Sequence, residues 1–162
     1  MLSGQVVLIC LTALLCGCGA APPRVPTPAE LEGLPEVTVS VAPQIEVDRV
    51  RVFQEQDGST RLRDAVLDEL VDSGKRSRRD ADEIRVLVTR FRLRSTASGV
   101  WVGAMAGADM LDVTVTLVRG GETTRTFDTG VGGITAGLIK PSASGRFNGL
   151  VRLVAERIVK EL

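Results

Sequence analysis

Apolar residues recur along this chain in two rhythms, and the switches between them mark its elements. Val37, Val39 and Val41 alternate with polar residues, the period of a half-buried strand, which Pro43 ends. From Ser59 or Thr60 the period lengthens. Leu62, Ala65, Val66, Leu70 and Ser73 fall on one helical face, with Asp57 or Ser59 as the cap, Gly74 as a left-handed stop and Lys75 and Arg76 at the carboxyl end of the dipole. Between these segments Ile45 to Phe53 fits neither rhythm. Ile45 and Val47 keep one strand phase and Val50 and Val52 the other, as in an irregular or bulged connection. Alternation returns at Ile84, Val86 and Val88, then slips by one residue to Phe91 and Leu93, which predicts either a β-bulge or a strand that leaves the core on one face and meets something else on the other. Leu111, Val113, Val115 and Leu117 form a third strand. Arg119-Gly120-Gly121-Glu122 makes a tight turn, and Thr123 to Thr129 returns as the partner with Phe127 inward. Phe147, Leu150, Val151, Val154, Ile158 and Leu162 close the chain at helical spacing.

The order strand-helix-strand-strand-strand-helix predicts an α+β two-layer sandwich. Its first two strands lie parallel through a right-handed crossover, either side by side or with another strand between them, and the rest form an antiparallel meander. The sheet is then mixed and four-stranded. Threonine and charge on the outer face of the hairpin place both helices on one side. The same order gathers two glycine-rich connections at one pole, near Arg92 and Arg94, and sends the Lys75–Arg79 loop and the Gly120-Gly121 turn to the other. One connection is Gly99-Val100-Trp101-Val102-Gly103-Ala104-Met105-Ala106-Gly107, with glycines four apart that permit close backbone approach. The other runs from Gly130 to Ser144 and carries Val131, Ile134, Leu138 and Ile139. Val100, Trp101, Val102, Met105, Ile134, Leu138 and Ile139 are therefore candidates for contact with a partner or a membrane, against the simpler reading of loops pinned to their own core. Arg90, Arg92 and Arg94 share one side of the strand beyond the phase slip. They form either an arginine ladder for an anionic surface or a strand end that charge keeps soluble.

Ahead of the domain, Val6 to Leu15 is an apolar run of signal-peptide length, too short to span a bilayer as a helix. It ends in Leu15-Cys16-Gly17-Cys18. This resembles the lipobox of bacterial lipoproteins, in which the cysteine is diacylated, the chain is cut just before it, and the new amino terminus is acylated. The resemblance implies a leader over residues 1–17, lipidation of Cys18, and a membrane anchor through its acyl chains. Burial of each CH₂ contributes about 0.8 kcal/mol, so two or three such chains hold essentially permanently. Gly19, where an aspartate would imply retention at the inner membrane, implies the outer membrane with the domain facing the periplasm. Two other readings stand beside it: a secretory signal cut near Gly19-Ala20-Ala21, leaving a soluble periplasmic protein, or a membrane anchor, since Met1 to Ala21 carry no charged side chain. Residues 18–35 hold Pro22, Pro23, Pro26, Pro28 and Pro35, a spacer of polyproline II character. At about 3.1 Å per residue its reach is at most roughly 50 Å. The folded domain is expected over 36–162.

Composition narrows the chemistry. The 162 residues carry 20 Lys+Arg and 20 Asp+Glu, so no overall field favours nucleic acid. Histidine and tyrosine are absent, and the three cysteines, Cys10, Cys16 and Cys18, all lie in or at the edge of the leader. Imidazole and thiol catalysis, and cysteine or histidine metal sites, are thereby excluded from the domain. No cofactor or metal is expected. Carboxylates alone would have to do any catalysis, with Asp109 and Asp112 the nearest pair. Aspartates three apart at a loop–strand junction are far more often turn and capping residues.

From about Val37 to Leu162 the pattern is similar to a loosely defined group of bacterial envelope lipoproteins with a domain of unknown function. It is more distantly similar to auxiliary lipoproteins of ABC-type transporters and to curli-type secretion lipoproteins. The shared features are the helix ending at Gly74, Ala81-Asp82 leading into a strand, the glycine stretch before Leu111, the hairpin and the terminal helix. The resemblance implies a non-enzymatic periplasmic module that binds an envelope protein in transport, secretion or maintenance. The alternative is an oligomeric or membrane-inserting lipoprotein driven by the glycine loops, although no pair of long alternating segments suits a membrane barrel.

Overall fold

A computed structural model describes residues 33–75, 81–94, 108–132 and 142–162. Four strands form one sheet in the order β1-β2-β3-β4: β1 Glu36–Val41, β2 Glu83–Arg92, β3 Met110–Arg119 and β4 Glu122–Gly132. β1 lies directly beside β2 and parallel to it, with Val37 opposite Ile84 and Val41 opposite Val88; the other pairs are antiparallel. The helices are α1 Val47–Glu55, α2 Gly58–Asp72 and α3 Ala143–Glu161. Their buried side chains join a single core with Val37, Ile84, Val86, Val88, Phe91, Leu111, Val113, Val115 and Leu117, all on one face of the sheet. The opposite face carries Thr38, Arg85, Arg90, Thr114, Thr116, Thr126 and Asp128. The α+β two-layer arrangement with a mixed four-stranded sheet is therefore the fold of this chain.

One element departs from expectation. The stretch that fits neither period, Ile45 to Phe53, holds most of helix α1, so three helices rather than two cover the sheet. This helix buries only Phe53 and leaves Val47 84 % exposed. A helix that buries one side chain has no apolar stripe, so its valines mimic two strand phases. Phe53 anchors it, and its exposed side carries charge pairs, Arg49 with Glu46 and Arg51 with both Asp48 and Glu55, at i,i+3 and i,i+4 spacing.

The phase slip in β2 is a bulge between Val88 and Arg90. Thr89 takes the extra position and donates its hydroxyl to the Asp112 carbonyl at 3.2 Å. The bulge restores Phe91 to the core face, where it meets Phe53 of α1 and Phe147 of α3. The three rings pack edge to face with centroids 5.2, 5.8 and 5.8 Å apart. Such pairs add about 0.5–1.5 kcal/mol each beyond the burial of their area. A Cβ at Gly58 would stand 2.5 Å from the Phe53 ring, so a glycine must open α2 for α1 to pack.

The remaining punctuation follows the sequence. Gly74 takes φ +70° after α2, and Gly120 and Gly121 take φ +59° and +84°, as a two-residue hairpin turn of matching twist requires. Asp82 gathers this end of the sheet. Its N–H donates to the Val118 carbonyl at 2.8 Å, its carbonyl accepts from Glu36 N–H at 2.9 Å, and its Oδ2 accepts from Gly120 N–H at 2.7 Å. Lys75 Nζ donates to the Val159 carbonyl of α3 at 2.7 Å.

Truncation of Phe53 to alanine is expected to cost about 3–5 kcal/mol, the range for a fully buried phenylalanine. Urea unfolding of the full chain measures it. Gly58→Ala should also destabilise, and by less in a Phe53→Leu background, where the clashing ring is gone. Equal losses in both backgrounds would show that the ring is not what demands glycine.

Candidate functional site

The end of the sheet opposite Asp82 is built around a second aspartate. Asp109, just before β3, is 7 % exposed and is the one buried charged side chain among the described residues. Its Oδ1 accepts from the Arg94 N–H at 2.8 Å and from Arg94 Nε at 3.4 Å; its Oδ2 accepts from Arg146 Nε at 3.0 Å. Arg146 Nη2 closes the ring by donating to the Arg94 carbonyl at 2.6 Å. Charge-assisted bonds of this kind are roughly twice as strong as neutral ones, and the guanidinium fork fixes direction as well as distance. Three segments distant in sequence are thereby clamped: the exit of β2, the entry of β3 and the first turn of α3.

The neighbouring contacts extend this clamp. Ser142 caps α3 by accepting from Gly145 N–H at 3.1 Å. Arg61, in the first turn of α2, donates to Asn148 Oδ1 at 2.6 Å and to Ser144 Oγ at 3.3 Å, joining the two long helices at this same end. On the open face Arg90 pairs with Asp112 at 3.5 Å. Asp112 lies against Gly130 of β4 so closely that a Cβ there would overlap its carboxylate. Arg157 of α3 donates to the Gly130 carbonyl from the core side.

The candidate residues of the sequence divide accordingly. Arg90 and Arg92 stand on the open face of β2, opposite Asp112 and Met110. Arg94 leaves that row and turns to Asp109. The Arg94, Asp109 and Gly132 ends of the strands meet at one end of the sheet, so the segments 95–107 and 133–141 both leave from the pole that the strand order implies. Val100, Trp101, Val102, Met105, Ile134, Leu138 and Ile139 lie outside the described residues, as do Leu15, Cys16, Gly17, Cys18 and the loop 76–80. Asp109 and Asp112 have separate partners: the first is held between two guanidiniums, and the second faces Arg90 and Gly130. With both carboxylate oxygens engaged, Asp109 is arranged to hold chain segments together.

Arg146 has no counterpart among the sequence candidates. A charged residue directly before the buried Phe147, in the opening turn of an amphipathic helix, was the available signal. Its partner lies 37 residues away, a separation that no local pattern reports. Among the described residues no group of His, Cys, Asp or Glu side chains could hold a metal ion, and no helix is long and apolar enough to cross a membrane. The chain matches no protein-family model and no curated protein.

Away from the pole, one carboxylate is held in an unfavourable place. Asp68, on α2, has its pKa raised by partial burial first and then by Asp64 and Asp72, which flank it one turn away on either side. Glu83 shows the opposite: its bonds to Arg85 hold its pKa down.

Two outcomes follow. Asp109→Asn keeps the shape of the clamp but removes the negative charge that two guanidiniums share. The loss should be about 2–4 kcal/mol, below the roughly 3–5 of a fully buried pair because the arginines keep some solvent. A loss under about 0.5 kcal/mol in urea unfolding would reduce the clamp to an ordinary surface pair. For Asp68, a raised folded-state pKa means that the native chain binds this proton more tightly than the unfolded chain does. Its contribution to stability is complete below the ordinary aspartate value and is lost as pH rises through the raised one. Asp68→Asn should therefore raise the melting temperature at pH 7 and leave it nearly unchanged at pH 3. A gain at pH 3 as large as that at pH 7 would contradict this assignment.

Proposed function

We propose that this chain is a lipid-anchored, non-enzymatic module of the bacterial envelope, carried on the periplasmic face of the outer membrane through Cys18. Its glycine-rich pole then engages a protein of a transport, secretion or maintenance system. The observation that carries the reading is the direction of the domain. β1 begins at Glu36, bonded to Asp82 beside the Gly120-Gly121 turn. The segment that would tether the domain therefore enters at the end of the sheet away from the Arg94–Asp109–Arg146 clamp. β2 and β3, at about 3.3 Å per residue, separate the two ends by roughly 30 Å. A domain tethered at one end presents the other outward.

This polarity favours a partner contact over membrane insertion by the glycine-rich segments. The clamp supports the same reading. It fixes the roots of both segments to the rigid layer, so that whatever they bind is held in a defined orientation to the body. The chemistry available is consistent with binding: the domain carries no imidazole and no thiol, and its buried carboxylate is saturated by arginine.

Envelope fractionation of cells expressing wild type and Cys18→Ser tests the anchor. The wild type is expected with the membranes and carrying acyl mass, and the serine variant in the soluble fraction; identical soluble behaviour of both would remove the lipoprotein reading. A photo-reactive residue at Met110, beside the clamp, tests the polarity against one at the exposed Glu122 next to the hairpin turn. The expected result is a discrete protein adduct at Met110 only. Lipid adducts at Met110 would instead favour the membrane-inserting alternative.

A further inference from the structure

The two edges of the sheet are treated differently, and the difference points to a contact surface. The β4 edge is guarded. Arg157 of α3 donates to the Gly130 carbonyl, Arg125 donates to the Glu161 carbonyl at the end of α3, and Glu122, Arg125 and Asp128 put charge along the strand. Exposed strand edges are pairing templates, and covering or charging them prevents this. Among the described residues the β1 edge has neither defence. Glu36-Val37-Thr38-Val39-Ser40-Val41 holds one charge, at its first residue, and no proline. Among the described residues nothing pairs with its outer side.

The backbone directions settle which groups are offered. Glu36 N–H bonds to the Asp82 carbonyl and Ala42 N–H to the Val88 carbonyl, so the even-numbered residues of β1 face β2. Along a strand, successive residues turn their N–H and C=O groups to opposite sides. Val37, Val39 and Val41 therefore point theirs outward. Val39 and Val41 are also only half-buried, whereas Val86 and Val88 beside them are 1 % and 0 % exposed, so the core face ends at this edge with apolar surface left uncovered.

We infer that the β1 edge pairs with β1 of a second copy of this chain, antiparallel, with Val39 on the two-fold axis. This register is selected by its own symmetry. It sets Val39 opposite Val39, and Val37 opposite Val41 twice. All three outward residues of each copy are used, at two bonds per pair over three pairs, or about six hydrogen bonds. Moving the register so that Thr38 or Ser40 lies on the axis leaves two such pairs and about four bonds. The valines then cover one another on the helix side, and Thr38 meets Ser40 on the open side, with no like charges opposed. Two four-stranded sheets become one continuous sheet. A closed isologous contact of this kind consumes the free edge and stops at two copies. The contact is small beside the roughly 1,200–2,000 Å² of a stable interface, so the pair is reversible. It does not depend on the anchor at Cys18 or on the glycine-rich pole.

Disulfide trapping in the purified full chain, held in mild detergent with a mild oxidant, tests the register. In this pairing Thr38 and Ser40 form a non-hydrogen-bonded pair with Cα atoms about 4.5 Å apart, within disulfide reach, while two copies of Ser40 stand roughly 8 Å apart, beyond it. An equimolar mixture of Thr38→Cys and Ser40→Cys should give a peptide linking positions 38 and 40, at least about tenfold above the homodimer linkages of either variant alone. Identifying linked peptides by mass keeps Cys10, Cys16 and Cys18 out of the readout. Val39→Pro, placed in both variants, removes one outward N–H and no bond to β2. It should abolish the linkage while a folded far-ultraviolet spectrum persists; if it unfolds the chain, the mixture alone decides. No 38–40 linkage, or equal yields from the mixture, the single variants and a Thr126→Cys control, would overturn the proposal.

Discussion

The contact of Phe53, Phe91 and Phe147 ties both the short helix and the terminal helix to the sheet, at the centre of the core that the two layers share. One ring comes from the short helix, one from the second strand and one from the terminal helix, and each is at most 1 % exposed. Their edge-to-face packing depends on two local departures from regularity. The bulge at Thr89 turns Phe91 inward, and Gly58 leaves room for Phe53. Without the bulge, Phe91 would face solvent with Arg90 in its place in the core, because a strand slipped by one residue reverses every later side chain. A local irregularity of this kind is therefore a condition of the global packing.

The same bulge sets the chemistry of the pole. It carries Arg90 and Arg92 to the open face and lets the chain leave β2 with Arg94 directed at Asp109. The aspartate answers two arginines from different elements, so the helix layer and the sheet are fastened by charge at the end where the aromatic contact fastens them by packing. The opposite end is fastened by Asp82, which holds the starts of β1 and β2 and the hairpin turn by backbone and side-chain bonds. Between these two aspartates the sheet is held along its length, and the segments that connect its strands are left to differ in character. The described body has two unlike ends: β1 begins beside Asp82, and Arg94, Asp109 and Gly132, from which the segments 95–107 and 133–141 leave, lie at the other.

What the sequence by itself determined was whatever a local period or a local residue type can encode. Alternating valines made strands because one face of each is buried. The Leu62–Leu70 stripe and the Phe147–Ile158 stripe made helices because both lie flat on a core. Gly74 and the Gly120-Gly121 pair marked a stop and a turn because their backbone angles suit glycine. The order of these elements then implied the mixed sheet and its two unlike poles, and composition removed imidazole and thiol chemistry. The tertiary structure decided the rest. Helix α1 buries one residue, so no period announces it, and only its charge spacing betrays it. The direction of the slip at Thr89 depended on where a third phenylalanine waited. Asp109 and Arg146 met because α3 begins at the end of the sheet where β3 starts, which no spacing along the chain records. That α3 guards the β4 edge and, among the described residues, nothing pairs with the outer side of β1 likewise depends on tertiary placement, since a strand's own residues do not say whether a neighbour covers it.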